Sequence, residues 1–331
     1  METTLDQIAQ HLQSHYGIVG TLSALPGEHD DNFLVETQNG HLVVRVVAAD
    51  QDEERDRFIL AVLAALDASG IVCPTVLATV DGTVTPVLRD NSGNLRRSWV
   101  TTFVPGRPWG ELLDQPHVAF SVGRSLAQLD RWLADAVVPP SSGDTPWNLT
   151  RPEGTLALVD GVPLGADRAR IQAYLTGLTE TVLPQLRDVQ SYPIHNDANP
   201  DNVLIQADGT AGFIDFGDSV CAPRAVELAV TATYLADIGE AASLDSPLTS
   251  LIRGYCSVLP LTPLEVSCLP GLMRGRLALA LGNALARAHR DPQRADYVLR
   301  HAGRARRRMD ALDALDEERA LRMWESAGVG S

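Results

Sequence analysis

Residues 192–218 read Tyr-Pro-Ile-His-Asn-Asp-Ala-Asn-Pro-Asp-Asn-Val-Leu-Ile-Gln-Ala-Asp-Gly-Thr-Ala-Gly-Phe-Ile-Asp-Phe-Gly-Asp, and this stretch decides the fold. It contains two polar motifs, His195-x-Asp197-x-x-x-x-Asn202 and an Asp-Phe-Gly at 215–217, each bordered by short apolar runs. An Asp-Gly pair between the motifs supplies the positive φ that a hairpin turn needs. The sequence therefore predicts a loop that ends at Asn202 and a β-hairpin that brings the Asp-Phe-Gly motif beside it.

The residue types in these motifs suit phosphoryl transfer. Such a reaction needs a carboxylate that orients the attacking hydroxyl, and oxygen ligands that hold magnesium on the nucleotide phosphates. Asp197 can supply the first, and Asn202 and Asp215 can supply the second, because hard cations prefer carboxylate and amide oxygens. The spacing from Asp197 to Asn202 is that of the kinase catalytic loop. A polar loop that only caps a turn is the alternative, but the ordered set of features favours a kinase-like site.

The chain resembles the aminoglycoside phosphotransferase and choline kinase family of small-molecule kinases. The family pattern is a His-Gly-Asp-x-x-x-x-Asn loop, then a hairpin, then Ile-Asp-Phe or Ile-Asp-Trp, and Asn196 here replaces the common glycine. Together with Val-Glu-Leu-Ala-Val at 226–230, the segment 192–237 most resembles the hydroxylysine kinase branch. The resemblance is weaker but collinear over about 22–113 and faint after residue 260.

The resemblance and the strand and turn patterns together predict an α+β, bilobal, protein-kinase-like fold. Residues 1–102 are expected to form an N-terminal lobe with an antiparallel five-stranded sheet and one main helix. Residues 103–331 are expected to form an α-rich C-terminal lobe that carries the catalytic loop. The predicted strands are Phe33–Thr37, His41–Val47, Val76–Thr79, Val84–Arg89 and Trp99–Phe103. Helices are predicted over 3–16, 50–68, 118–133, 167–188, 224–236, 247–259, 263–288 and 292–324.

Arg45 lies in an apolar strand, where the resemblance implies the phosphate-binding lysine. A guanidinium can bind phosphate through two hydrogen bonds, so Arg45 is chemically competent for this role. A solvent-facing arginine is the alternative. The acidic partner of Arg45 is expected on the following helix, where Glu53, Glu54 and Asp56 all remain open.

Two further segments are expected to touch the nucleotide. The turn before the first predicted strand lies where a kinase places its phosphate-covering loop, but only Gly27 remains of the glycine pattern. Thr102, Phe103 and Val104 resemble the hinge of the family, whose backbone groups bind the nucleotide base.

Two acids near the catalytic segment are candidates for binding a substrate ammonium, a role that the resemblance implies for acids in this region. They are Asp218, directly after the Asp-Phe-Gly motif, and Glu227 on the next helix. A salt bridge from Glu227 to Arg224 or another arginine is the alternative for Glu227. Trp147 and Asp237 are further candidates. A basic run at residues 304–308 is interpreted as a solvated helix face in preference to an anion site.

Length and composition describe a chain with a substantial core. The 331 residues suggest one large or two modest domains, and 45% of them are hydrophobic. The formal net charge of -15 makes nucleic acid an unexpected partner. All 27 basic residues are arginine. No apolar run reaches the length of a membrane span. The four cysteines form no Cys-x-x-Cys pair and the N-terminus is acidic, so we expect a cytoplasmic protein.

These observations predict a small-molecule kinase that moves the γ-phosphoryl group of ATP or GTP to a hydroxyl of a small amine or amino acid. A hydroxylysine-like amino alcohol is favoured as the acceptor, with an aminoglycoside, homoserine or choline-type acceptor as the alternative. His195 would brace the loop, Asp197 would accept the hydroxyl proton, Asn202 and Asp215 would hold Mg²⁺, and Arg45 would clamp the phosphates. A nucleotide-binding pseudokinase scaffold is the alternative from another class. No Ala-Pro-Glu follows the Asp-Phe-Gly, which argues against a protein kinase, and no protein partner is predicted.

Overall fold

The structure is a computed structural model that describes residues 3–26, 30–139, 145–162, 165–240 and 243–328. The chain divides into two compact units, Met1–Pro105 and Gly106–Ser331. The lobe boundary expected from the sequence, after residue 102, falls just before this division. Gly27 lies outside the described residues.

The first unit is an antiparallel sheet with two helices. Its elements are α1 (Leu5–Tyr16), β1 (Thr21–Leu25), β2 (Asp31–Thr37), β3 (Gly40–Val46), α2 (Glu53–Leu66), β4 (Val76–Leu77), β5 (Val87–Arg89) and β6 (Leu95–Thr102). The strands follow the order β1-β2-β3-β6-β4, and β5 also pairs with β6. The described part of this sheet therefore has six strands instead of the predicted five, because β1 was not anticipated.

The register of β3 places its valines and Arg45 on opposite faces of the sheet. Val44 and Val46 point toward α1 and join the buried cluster that Ile8 and Leu12 of that helix complete. Since side chains alternate along a strand, Arg45 points to the opposite face. The Asn-Gly turn before β3 sets this register, with Gly40 at φ 127°.

The second unit is mainly helical. It contains β7 (Arg107–Pro108), α3 (Pro116–Ala134), α4 (Glu153–Asp160), α5 (Arg168–Gly177), α6 (Leu183–Gln185), β8 (Tyr192–Ile194), β9 (Val203–Ile205), β10 (Ala211–Phe213), β11 (Val220–Ala222), α7 (Arg224–Ala232), α8 (Pro247–Cys256), α9 (Pro263–Arg290), α10 (Ala295–Val298), α11 (Ala302–Asp313) and α12 (Glu317–Gly328). The short strands form two sheets, β10-β9-β7 and β11-β8, which hold the catalytic segment between the helices.

Two helices predicted as continuous are interrupted. The helix expected over 167–188 passes through a wide π turn at Leu178–Val182 before α6. Pro184 lies in α6 and has no N–H to donate to the preceding turn, which explains the interruption. The helix expected over 292–324 breaks between α11 and α12, where the Asp316 carboxylate accepts the Arg319 N–H at 3.0 Å and caps the new helix. Helix α4 was not predicted.

Helices α3 and α8 pack closely because a glycine from each lies at their contact. A Cβ atom on Gly123 would overlap a backbone carbonyl of α8, and one on Gly254 would overlap a backbone carbonyl of α3. Ser125 on α3 accepts a hydrogen bond from the Ala211 N–H at 3.2 Å. The helix pair therefore supports the hairpin of the catalytic segment.

Among the residues that the structure describes, no helix combines the length and apolar character that crossing a membrane requires.

Candidate active site

The predicted hairpin is present and joins the two polar motifs. Val203 of β9 pairs with Phe213 of β10, and the Ile214 N–H donates to the Asn202 carbonyl at 2.9 Å. Gly209 in the turn has φ 82°, which a side chain would make costly. Asn202 and Asp215 consequently lie at the same end of the hairpin.

His195 is a buried brace between the two motifs. Its Nδ1 accepts the Asp197 N–H at 3.2 Å, so its Nε2–H donates to the Ile214 carbonyl at 2.9 Å. Its ring also lies 4.5 Å from the Phe216 ring, centroid to centroid. Burial lowers the pKa of His195 to about 4, so the imidazole is neutral at physiological pH. This geometry suits the bracing role predicted from the sequence.

Asn196 turns the loop through a left-handed backbone conformation, with φ 63°. Asparagine tolerates this region better than other residues with a side chain, which explains how it can stand where the resembling kinases commonly have glycine. Its backbone N–H donates to Glu227 Oε2 at 2.8 Å, and its Nδ2 donates to the Asp218 carbonyl at 3.0 Å.

Glu227 lies beneath the catalytic loop, away from the position expected of a residue that binds a substrate ammonium. It is fully buried, and the loop N–H of Asn196 occupies its Oε2. The predicted alternative was a salt bridge of Glu227 to Arg224 or another arginine. Arg224 pairs with Glu265 at 2.9 Å, whereas Arg276 interacts electrostatically with Glu227. Burial raises the pKa of Glu227 to about 7, against the opposing effect of the loop N–H groups and Arg276.

We expect this buried carboxyl group to make the protein less stable as the pH rises. A carboxyl whose pKa is raised on folding favours the native state below its unfolded pKa, and this contribution is lost as the pH rises through the folded value. Glu227→Gln keeps an oxygen for the Asn196 N–H but cannot ionise. The fall in Tm between about pH 5 and about pH 8 should therefore be smaller in Glu227→Gln than in the parent.

Thermal scans without nucleotide or metal measure this effect. Glu180→Gln is the matched control, because Glu180 is exposed and should leave the pH dependence unchanged. Equal pH dependence of Tm in Glu227→Gln and the parent would show that Glu227 does not change protonation on folding.

Asp197 is held from both sides. Arg276 Nη2 donates to its Oδ1 at 2.7 Å, while Asn199 Nδ2 and Asn202 Nδ2 each donate to its Oδ2 at 2.9 Å. Burial raises the pKa of Asp197 to about 8; Arg276 opposes this rise, and the carboxylates of Asp218 and Asp215 add to it. The loop thus presents one carboxylate in a fixed orientation.

Arg276 was not predicted from the sequence. It is a buried arginine on α9, and it contacts Trp147 as well as Asp197: its guanidinium carbon lies 5.2 Å from the Trp147 ring. It also interacts electrostatically with the Tyr234 side chain. Its neighbours Gly275 and Leu277 are buried too, so an arginine that lies between buried positions of α9 was the available signal.

Asn202 and Asp215 fit the chemistry of a magnesium site. Because the Asn202 amide nitrogen donates to Asp197, its amide oxygen is the atom of this side chain that could bind a metal ion. Asp215 is exposed and adopts φ 59°, an uncommon conformation for a residue with a side chain. One carboxylate and one amide oxygen, completed by nucleotide phosphates, is a usual way for proteins to hold Mg²⁺.

Asp218 lies near Asp197, together with Trp147. Thr145 Oγ1 donates to Asp218 Oδ1 at 2.6 Å, and the Asp218 carboxylate is one of the charges that act on Arg276. Asp218 and Trp147 are both partly exposed. The structure therefore brings Asp197, Asp218 and Trp147 together around Arg276.

Arg45 in the first unit pairs with an acid that was not among the predicted partners. Its Nε donates to Asp30 Oδ2 at 2.5 Å, and its guanidinium lies 5.6 Å from the Trp99 ring. Asp56, one of the three open candidates, pairs instead with Arg97 at 2.5 Å.

A second of those candidates, Glu53, pairs with Arg57 one turn along the exposed side of α2. The expectation that Arg45 pairs with an acid of α2 is therefore corrected by the Asp30 contact.

The hinge segment uses part of its backbone for the sheet. The Thr102 N–H donates to the Thr75 carbonyl at 2.9 Å, and the Phe103 N–H donates to the His41 carbonyl at 3.1 Å. Val104 follows directly after these two paired residues and is itself buried.

Comparison with known proteins identifies a family and several relatives of this chain. A profile of the Phosphotransferase enzyme family matches residues 21–266. Hydroxylysine kinase of Xenopus laevis is 23% identical over 96% of this chain and 92% of that protein. Homoserine kinase of Brucella anthropi is 28% identical over 78% of this chain and 77% of that protein.

Solved structures confirm the predicted kinase-like fold. A microcompartment-associated aminopropanol kinase matches with a TM-score of 0.72 at 20% identity, over 96% of this chain and 99% of that one. Amicoumacin kinase, solved in complex with AMP-PNP, Ca²⁺ and Ami, also matches with a TM-score of 0.72, at 12% identity, over 95% of this chain and 94% of that one. Both the predicted family and the predicted enzyme class are confirmed: this chain belongs to the phosphotransferase enzyme family and is a phosphotransferase that acts on alcohol groups.

Proposed function

We propose that the protein is a small-molecule kinase that transfers the γ-phosphoryl group of ATP or GTP to a hydroxyl of a small amine or amino acid. The arrangement of Asp197 is the observation that carries this proposal. Its carboxylate is fixed by Arg276, Asn199 and Asn202, and the hairpin places the proposed metal ligands beside it. Such an arrangement serves a reaction in which positioning and electrostatics do most of the catalysis.

In the proposed reaction, Asp197 orients the acceptor hydroxyl and takes its proton. The hydroxyl oxygen forms a bond to the γ-phosphorus as the bond from that phosphorus to the β–γ bridging oxygen breaks, and the nucleoside diphosphate leaves. Among the residues that the structure describes, Arg276 is the one hydrogen-bond donor to Asp197 Oδ1, which therefore retains a lone pair for the proton.

The donor is proposed to bind as its magnesium complex. Asn202 and Asp215 would hold Mg²⁺, which when bound neutralises charge on the phosphates. Arg45 would contact a phosphate while Asp30 fixes its orientation. Val104 N–H is proposed as the donor to the base, since the N–H groups of the two preceding hinge residues already bond within the sheet. The amicoumacin kinase complex with an ATP analogue and Ca²⁺ supports a nucleotide and a divalent metal.

The acceptor is proposed to carry an ammonium group near Asp218. Asp218 lies close to Arg276, the partner of Asp197, and the protein as a whole is acidic. The relatives include hydroxylysine and homoserine kinases, and the aminopropanol kinase shares the fold. Hydroxylysine is the first acceptor to test, followed by homoserine, amino alcohols and aminoglycosides.

A nucleotide-plus-acceptor screen tests the function. The protein is incubated with MgATP or MgGTP and each acceptor, and the products are examined by mass spectrometry for an added phosphoryl group. We expect phosphorylation of at least one amino acid or amino alcohol. Turnover of neutral sugars or nucleosides alone would contradict the cationic acceptor, and nucleotide binding without turnover of any acceptor would favour the pseudokinase scaffold.

A further inference from the structure

Arg308 differs from its neighbours in the basic run at 304–308. Its side chain is only 12% exposed, whereas the side chains of Arg306 and Arg307 are 43% and 63% exposed. Its guanidinium carbon lies 4.9 Å from the Tyr234 ring, and its Nε donates to Asp237 Oδ1 at 3.1 Å. Arg308 is thus a partly buried and oriented cation, which the interpretation of this run as a solvated helix face did not anticipate.

Tyr234 links Arg308 to the catalytic carboxylate. Its side chain interacts electrostatically with Arg276, whose Nη2 lies 2.7 Å from Asp197 Oδ1. Arg308 therefore lies one aromatic side chain away from the partner of Asp197. His301, in the turn that precedes α11, also interacts electrostatically with Asp201 of the same loop as Asp197.

The terminal nitrogens of Arg308 are available for an anion. Within the described part of the chain, Arg308 donates to protein acceptors through Nε alone. Arg306, in contrast, donates to Asp167 through both Nε and Nη2. The two terminal nitrogens of a guanidinium form the edge that matches a carboxylate, and the contacts with Tyr234 and Asp237 hold that edge in place.

We propose that Arg308 binds a carboxylate of the acceptor, so that the enzyme prefers amino acids over amino alcohols that lack this group. The inference rests on the proposed function and specifies its substrate class. Asp218 lies near Asp197, and Arg308 is connected to Asp197 through Tyr234 and Arg276. The negative charge of Asp218 and the positive charge of Arg308 complement the ammonium and carboxylate of a free amino acid. Aminoglycosides carry ammonium groups without a carboxylate and would leave Arg308 unused.

Pairs of acceptors that differ only in the carboxylate test this inference. The pairs are hydroxylysine with its decarboxylated counterpart, and homoserine with aminopropanol. In the wild-type enzyme we expect kcat/KM to be about ten- to a hundredfold higher for the amino acid of the productive pair, as one charge-assisted recognition contact provides. Methyl esters of the amino acids, which cap the carboxylate, should behave like the amino alcohols.

Substitution of Arg308 then tests whether this residue causes the preference for amino acids. In Arg308→Gln, kcat/KM for the amino acid should be close to kcat/KM for the amino alcohol. Arg308→Lys keeps a charge without the planar edge, and it should retain part of the preference for the amino acid. Arg307→Gln is the matched control: it removes a charge from the same helix beside the same Asp237, and it should keep the wild-type ratio.

The outcomes separate the inference from the function. Phosphorylation of both members of a pair at similar kcat/KM by the wild-type enzyme overturns carboxylate recognition and leaves the kinase function intact. A wild-type preference that persists in Arg308→Gln overturns the assignment to Arg308. Absence of turnover with every member of the panel overturns the proposed function and the inference together. Because the wild-type ratio and the ester measurements need no variant, the test stands even if Arg308→Gln does not fold.

Discussion

Replacement of Asp197 by asparagine should lower turnover at least about a hundredfold while leaving nucleotide affinity nearly unchanged. The asparagine side chain has nearly the same size and shape as aspartate and can still accept a hydrogen bond from Arg276. It cannot take the hydroxyl proton, because the amide group is a far weaker base than the carboxylate. Steady-state kinetics with the productive acceptor and calorimetric titration with the nucleotide measure the two quantities separately.

Asp208→Asn is the control for this substitution. Asp208 is an exposed acid in the hairpin turn, and Asn-Gly favours the same turn as Asp-Gly, so that variant should turn over like the parent. Turnover of Asp197→Asn within a few-fold of the parent would move the general base to another residue.

Replacement of Asp215 by asparagine should remove most of the magnesium dependence of nucleotide binding. Asparagine tolerates the left-handed backbone at this position, with φ 59°, better than alanine does, so the loop should keep its conformation. The variant lacks the only carboxylate assigned to the metal. We therefore expect the affinity for the magnesium nucleotide to fall about ten- to a hundredfold, and turnover to fall further.

Titration in the presence of EDTA provides the internal control for Asp215. Without metal, the parent and Asp215→Asn should bind the nucleotide with similar affinity, because the base and the Arg45 contact are unaffected. The assignment of Asp215 to the metal is wrong if added Mg²⁺ raises the nucleotide affinity of the two proteins equally.

Local turn chemistry explains why much of the fold could be predicted. The Asn-Gly and Asp-Gly turns at Gly40 and Gly209 both adopt positive φ, and each fixes a hairpin whose strands are close in sequence. β1 was missed because Thr21–Leu25 has no regular alternation of buried and exposed residues. It forms a strand through pairing with β2, which a local pattern does not reveal.

The residues of the candidate site also divide into those that local sequence predicts and one that only tertiary packing brings to the site. His195, Asp197, Asn202 and Asp215 belong to one continuous stretch, so their order and spacing could be interpreted directly. Arg276 is separated from Asp197 by 79 residues, and only the packing of α9 brings it to the loop.

Competition between ion pairs explains the partner of Arg45. Two arginines on neighbouring strands, Arg45 and Arg97, face several acids. Arg97 takes Asp56 and leaves Asp30 to Arg45. No sequence rule chooses among such pairings, because all the groups have the appropriate charge and the choice depends on side-chain geometry.

The absence of lysine from the sequence affects the pH dependence that we expect for the reaction. Arg45, Arg276 and Arg308 are guanidinium groups, which keep their protons throughout the pH range in which enzymes are assayed. His195 is already neutral at physiological pH, because burial lowers its pKa to about 4. A pH–rate profile of this enzyme therefore contains no limb from a lysine ammonium. Loss of a limb near neutrality in Asp197→Asn would assign that limb to the carboxyl group of Asp197.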